Sequence, residues 1–144
     1  MNIHEGFQIG TRVQIDDTTN EYRFHGKHGV VIDHWSFYQS KVFCDDGSVW
    51  VGNRFRLSRS QRPITANVKY DLAISSCWRK IIKETAKEPF AWHIESVNLE
   101  GGKVEWWACL WGDMPDGSIS EFSAQAETLP LAISHVALLK GGGV

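Results

Sequence analysis

No excess of positive charge runs through this sequence: 15 Lys and Arg stand against 17 Asp and Glu, a formal net charge of -2 at pH 7. That balance argues against a protein whose main task is coating nucleic acid by electrostatics, which calls for a strong basic surplus. A local basic patch stays compatible with it. Cysteine is scarce and odd in number: Cys44, Cys77 and Cys109 lie far apart and outside any paired ligand spacing. This argues against a disulfide framework or a zinc knuckle, and three buried or free thiols in a reducing cytosol are expected. Nowhere do eighteen apolar residues run together, and the opening MNIHEGFQIGTR lacks the apolar core of a signal peptide. The expectation is a soluble cytoplasmic chain that does not enter a membrane. Gly101-Gly102 and the terminal glycines lack the strand-to-helix context of a phosphate-binding loop.

What is present is a globular composition, 42% hydrophobic and 22% charged. The pattern changes near SRSQRPITANVKY, residues 58 to 70, where Pro63 and the polar run before it mark a linker. Two domains are expected, 1–62 and 63–144. The first holds eight Lys or Arg against seven Asp or Glu, the second seven against ten, so they differ in charge.

In the first part, GTRVQI (10 to 15), HGVVIDHW (28 to 35), SKVFCDD (40 to 46), SVWVGN (48 to 53) and FRLSRS (55 to 60) read as short strands. Asp45-Asp46-Gly47 reads as a hairpin turn, with Gly47 at the positive φ such turns need. Five short strands in about fifty residues predict a small curled barrel, since closure hides sheet edges. The order of GTRVQI, GKHGVV, VFCDDGSVWV and FRL resembles the SH3-like barrels, KOW-type in particular, over residues 7 to 59. Members of that group bind RNA, DNA or peptides, so the resemblance assigns no partner.

The second part opens with YDLAISSCWRKIIKETAKEP, where Leu72, Ile74, Cys77, Trp78, Ile81, Ile82 and Thr85 recur at helical spacing. Asp71 is placed to help cap this helix and Pro89 to end it. Arg79, Lys80, Lys83, Glu84 and Lys87 then face water. FAWHIESVNL, EGGK and VEWWACLWG form a hairpin, and GSISEFSAQA follows the Pro115-Asp116-Gly117 turn as a third strand. In the second of these strands Val104, Trp106, Ala108 and Leu110 point one way and Trp107, Cys109 and Trp111 the other. Both faces are apolar, which predicts cover on both. ETLPLAISHVALLK closes the chain as a helix, with Thr128 as N-cap, Pro130 in the first turn and Lys140-Gly141 at the end. Its stripe of Leu129, Ala132, Ile133, Val136 and Leu139 is widened by Leu131 and Leu138. One helix before the strands and one after predict a helix on each side of the sheet.

The Trp78-containing helix, the Trp-rich hairpin and above all AETLPLAISHVALL (126 to 139) resemble the phage ABA sandwich domain. Its closing helix commonly reads A-x-T-x-P-L-A-I-C-x-A-x-L. Thr128, Pro130, Leu131, Ala132, Ile133, Ala137 and Leu138 match, Ser134 stands where Cys is frequent, and His135 follows it. The resemblance covers about residues 66 to 140 and implies a phage or prophage origin and a three-layer fold. It brings no catalytic or site residues. The expected class is α+β: an SH3-like β-barrel followed by a three-layer α/β/α sandwich with a short antiparallel sheet.

Candidate chemistry is thin. His25, His28, His34 and Asp33 are read as surface or turn residues rather than metal ligands, since loop spacing fixes no tetrahedral geometry. Asp45 and Asp46 are read as turn residues, because neighbours on a strand point to opposite faces. Cys77 and Cys109 sit in stretches expected to be buried, where a thiol without a charged neighbour is inert. His93 or His135 reaching Cys109 through the fold is a minor alternative. No catalytic residue, cofactor or metal is assigned, and no enzyme is expected.

Binding residues are better candidates. Arg54 and Arg56 on one strand face, followed by Arg59 and Arg62 and near Trp50 and Phe55, suit phosphates and bases; a solvated strand edge explains them too. Trp35, Phe37 and Tyr38 lie in a hairpin or loop that needs cover from the other domain or from a partner. Trp78, Trp92 and Trp106 are assigned to the core, while Trp35, Trp50, Trp107 and Trp111 suit a core or an interface equally. The reading that follows is a non-enzymatic phage or prophage accessory protein that binds a host protein in the host cytoplasm, with countering a defence system as its expected role. The alternatives are a nucleic-acid-binding module on the arginine strand and a pocket sequestering a small nucleotide in an oligomeric cleft.

Overall fold

The computed structural model describes residues 6–18, 22–64 and 69–142. Part of the expected linker, residues 65 to 68, lies outside them. Eight antiparallel strands form two sheets. The first comprises β1 (Arg12–Ile15), β2 (His28–His34), β3 (Gln39–Cys44), β4 (Val49–Asn53) and β5 (Leu57–Arg59), in the order β4-β3-β2-β1-β5. β4 and β5 are separated by a 3-10 turn at Arg54–Arg56, and these edge strands do not pair, so the sheet curls without closing. Gly47 takes φ 87° in the β3–β4 turn.

The second sheet comprises β6 (Phe90–Asn98), β7 (Val104–Asp113) and β8 (Ile119–Ala126), in that order. Three helices complete the molecule: α1 (Tyr70–Ile74), α2 (Trp78–Thr85) after a 3-10 turn, and α3 (Leu129–Lys140). Thr128 caps α3 through its Oγ1, which accepts from the Leu131 amide at 3.3 Å, and Pro130 lies in the first turn as expected.

The helices form one layer between the two sheets. α1 packs against β2 on one side, and α3 packs against α1, α2, β7 and β8. This corrects the expectation of a helix on each side of the three-stranded sheet. The reason lies in α3, where Ala132, Ile133, Ser134, Val136, Ala137 and Leu138 are all buried. A helix apolar nearly all round must be covered from more than one direction, and a central position meets that need. On the side of the five-stranded sheet Gly10, at φ 96°, lets the backbone pass close to Ala137, and the Arg12 amide donates to the Gly141 carbonyl at 3.1 Å. The core is continuous: Val13, Val30, Val31 and Val42 of the first sheet join Tyr70, Ile74, Ile81, Ile133, Ala108 and Leu110 in one cluster.

Polar contacts pin the halves together. Arg12 is fully buried and forks onto Asp45, with Nη1 to Oδ1 at 2.5 Å and Nη2 to Oδ2 at 2.6 Å. It also donates to the carbonyls of Arg62 at 2.8 Å and Pro63 at 3.2 Å, while the Tyr70 hydroxyl donates to Asp45. Asp45 is therefore a clamp between β1, the segment after β5 and α1, in addition to opening a turn. Asp46 keeps the turn role, accepting from the Ser48 amide at 2.9 Å. Lys80 stays exposed as expected while its Nζ lies 2.7 Å from Asp33, but Glu84, expected in water, turns to the first sheet, where it accepts from the Ile9 amide at 2.9 Å and lies 3.0 Å from His34. Asp71 does not cap α1 but meets His135 of α3 at 2.9 Å, and α2 ends at Thr85, before Pro89.

Candidate functional site

Alternation along the second sheet sorts its residues. Phe90, Trp92 and Ile94 of β6, Trp106, Ala108 and Leu110 of β7, and Phe122, Ala124 and Ala126 of β8 pack into the core beneath α3. The opposite side chains make an outer face with no element over it among the described residues. The register sets Trp107 between Glu95 and Gln125, Cys109 between His93 and Ser123, and Trp111 between Ala91 and Glu121. Trp111 remains 42% exposed. The two-sided cover expected for β7 is thus absent on this side. The signal was in its neighbours: β8 alternates Glu121, Ser123, Gln125 with Phe122, Ala124, Ala126, and strands paired in one sheet share faces. A wet outer face on β8 makes the outer face of β7 wet too.

The face has a centre. His93, Trp107, Cys109, Trp111, Ile119 and Glu121 line a hollow of about 310 Å³. The His93 ring meets Trp107 edge-on at 5.7 Å, and its Nε2 lies 2.7 Å from Glu95. Cys109 Sγ donates to Glu121 Oε1 at 3.4 Å. Burial, then the hydrogen bond and charge of Glu121, push this thiol up to about 11, so it stays protonated at neutral pH. The structure brings His93 beside Cys109 but leaves the thiol on a carboxylate, which opposes nucleophilic use. His135 is on the other side of the sheet, held by Asp71. Glu121 lines the hollow, Glu95, Glu105 and Asp113 share its side of the sheet, and the strand residues of this face include neither Lys nor Arg.

The remaining candidates are scattered. Arg54 and Arg56 do not share a strand face, since they occupy the 3-10 turn between β4 and β5. Arg54 is only 7% exposed, with its guanidinium 4.5 Å from the Phe37 ring centre and 5.0 Å from that of Phe55. Arg56 reaches Asp17 at 3.3 Å. Arg59, over Phe7, and Arg62 are exposed. Trp50 is 1% exposed and donates from Nε1 to Asp17 at 3.2 Å, so it packs the core and takes no part in a surface. An arginine in a short turn can point inward, which strand alternation does not anticipate. Trp35, at 64% exposure, and Tyr38 lie at the β2–β3 tip, where Phe37 and Tyr38 meet edge-on at 4.8 Å.

The other thiols, Cys44 and Cys77, are also raised chiefly by burial. Among the described residues no three His, Cys, Asp or Glu side chains are grouped to hold a metal ion, and no helix is long and apolar enough to cross a membrane. No family model, curated protein or solved structure matches this chain.

Proposed function

We propose that this chain is a non-enzymatic phage or prophage accessory protein that binds a host protein, and that the outer face of the β6-β7-β8 sheet is its contact surface. The observation that carries the reading is the uncovered pair Trp107 and Trp111, set in a field of carboxylates without a cation on the same face. Large aromatics on regular strands lose little freedom when covered and anchor interfaces well. The charge selects the occupant: a second copy would bring four carboxylates against four, whereas a host protein with a basic surface is complementary. The closing-helix resemblance, ETLPLAISHVALL, supports the phage origin. The strand order β4-β3-β2-β1-β5 with a 3-10 turn before β5 supports the SH3-like reading of the first sheet. Countering a host defence system is the role such a binder would serve.

The test compares the wild-type chain with Trp107→Ala/Trp111→Ala as baits in host lysate, followed by reconstitution with the purified partner. One partner should be retained by the wild type, lost by the variant and weakened both by salt and by Glu95→Lys. Identical retention by both baits would remove this face from the interaction.

A further inference from the structure

Several aromatic rings elsewhere in the molecule are capped by the chain's own cations. Lys27 sits 4.8 Å from the centre of Phe24, Arg54 4.5 Å from Phe37, Arg79 5.0 Å from Trp78 and Lys140 5.2 Å from Phe90. Trp107 and Trp111 have no such cap among the described residues, although they flank a hollow with a carboxylate at its rim. Four residues apart on one strand face, they stand roughly 13 Å from each other along β7, wide enough for a side-chain head to enter over Cys109. Glu121 spends one oxygen on the weak Cys109 thiol donor, at 3.4 Å. A carboxylate offers about four acceptor sites, so most of its capacity remains open to a ligand.

We infer that this hollow receives an arginine side chain of the partner, its stem against the Trp107 indole and its guanidinium stacked on the Trp111 indole and hydrogen-bonded to Glu121, which stands opposite Trp111 in the register. The inference rests on the reading of this face as the contact surface and names the group recognised there. Three features select the guanidinium. Indole is the ring that attracts cations best. A planar fork stacks on a ring and bonds a carboxylate at the same time, which a lysine ammonium cannot do as well. The volume of about 310 Å³ suits one long side chain and not a folded segment. His93, drawn to Glu95 at 2.7 Å and edge-on to Trp107, lines one side of the hollow.

The experiment uses the full chain and N-acetyl-arginine amide as probe, with the lysine and citrulline analogues as comparisons, followed by the indole and backbone amide resonances. Arginine should shift the Trp107 and Trp111 indole signals saturably in the millimolar range, a reasonable affinity for a ligand of this size. Citrulline, equal in shape and uncharged, should shift them little. Glu121→Gln keeps an acceptor for the Cys109 thiol, so its melting temperature should be unchanged while arginine binding falls about tenfold. Absence of a saturable shift at about 50 mM arginine, equal response to citrulline, or stronger response to lysine would each overturn the arginine assignment. A silent arginine titration together with partner capture lost in Trp107→Ala/Trp111→Ala would keep the contact surface and remove the arginine. A saturable, Glu121-dependent arginine response without any captured partner would establish the hollow and count against the host-protein reading alone.

Discussion

Removing the Asp45 carboxylate should destabilise the fold far more than its position in an Asp-Asp-Gly turn suggests. Arg12 is fully buried, and the Asp45 side chain retains 20% of its exposure. Asp45→Ala therefore strands a guanidinium away from water without a counter-charge, leaving it the neutral Arg62 and Pro63 carbonyls and the Tyr70 hydroxyl at 3.4 Å. Breaking one side of a buried pair costs about 3–5 kcal/mol, against about 0–1 kcal/mol for an exposed one. For a chain of this size that corresponds to a melting temperature lower by roughly 6–20 °C. Replacing both partners, as in Arg12→Met/Asp45→Ala, should cost clearly less than the sum of Arg12→Met and Asp45→Ala, with a coupling of about 2 kcal/mol. Urea titration followed by tryptophan fluorescence measures all four proteins. The pH dependence gives a second readout. Burial alone would raise the Asp45 carboxyl, but the Arg12 and Tyr70 hydrogen bonds outweigh it and hold the group below its ordinary range. A depressed folded value means a contribution complete above the unfolded value of about 3.9 and lost as pH falls through the lower folded value. Below about pH 4 the wild type should lose its advantage over Asp45→Asn. A cost under about 1 kcal/mol for Asp45→Ala, or no coupling with Arg12, would refute the clamp.

Ile133, with no exposed surface between the sheets, should cost about 2–5 kcal/mol as Ile133→Ala, and deletion of residues 128 to 140 should abolish the cooperative transition in thermal melts. A Cβ at position 141 would lie 2.0 Å from the Gly10 carbonyl oxygen, so Gly141→Ala should destabilise by more than about 1 kcal/mol in the same assay. Arg54→Glu should lower the melting temperature because the side chain is buried, whereas Arg62→Glu should not. A nucleic-acid role for the five-stranded sheet would show as low-salt DNA or RNA binding that Arg62→Glu weakens without unfolding.

The strands, the turns and the closing helix were legible in the sequence because local chemistry sets them. β-branched and aromatic enrichment with partial alternation marks the strands, Gly47 takes the positive φ its turn needs, and Thr128 and Pro130 start α3 where their side chains suit a first turn. The aromatic pair Trp107 and Trp111 was legible as a candidate, but not as an exposed one, since apolar residues on both sides of a strand say nothing about what lies above each. Which face is covered depends on where the helices go. That depends on α3 being apolar nearly all round and fitting only between two sheets. The arginines show the same limit: the residues 54 to 62 are basic by sequence alone, yet burial of Arg54 and its contact with Phe37 follow from a turn that points it inward. Arg12, Asp45 and Tyr70 are far apart in the chain, and neither alternation nor turn composition couples them. Only the tertiary fold puts a buried cation against a carboxylate and a phenol, because a charge removed from water must find its partner wherever the chain brings one.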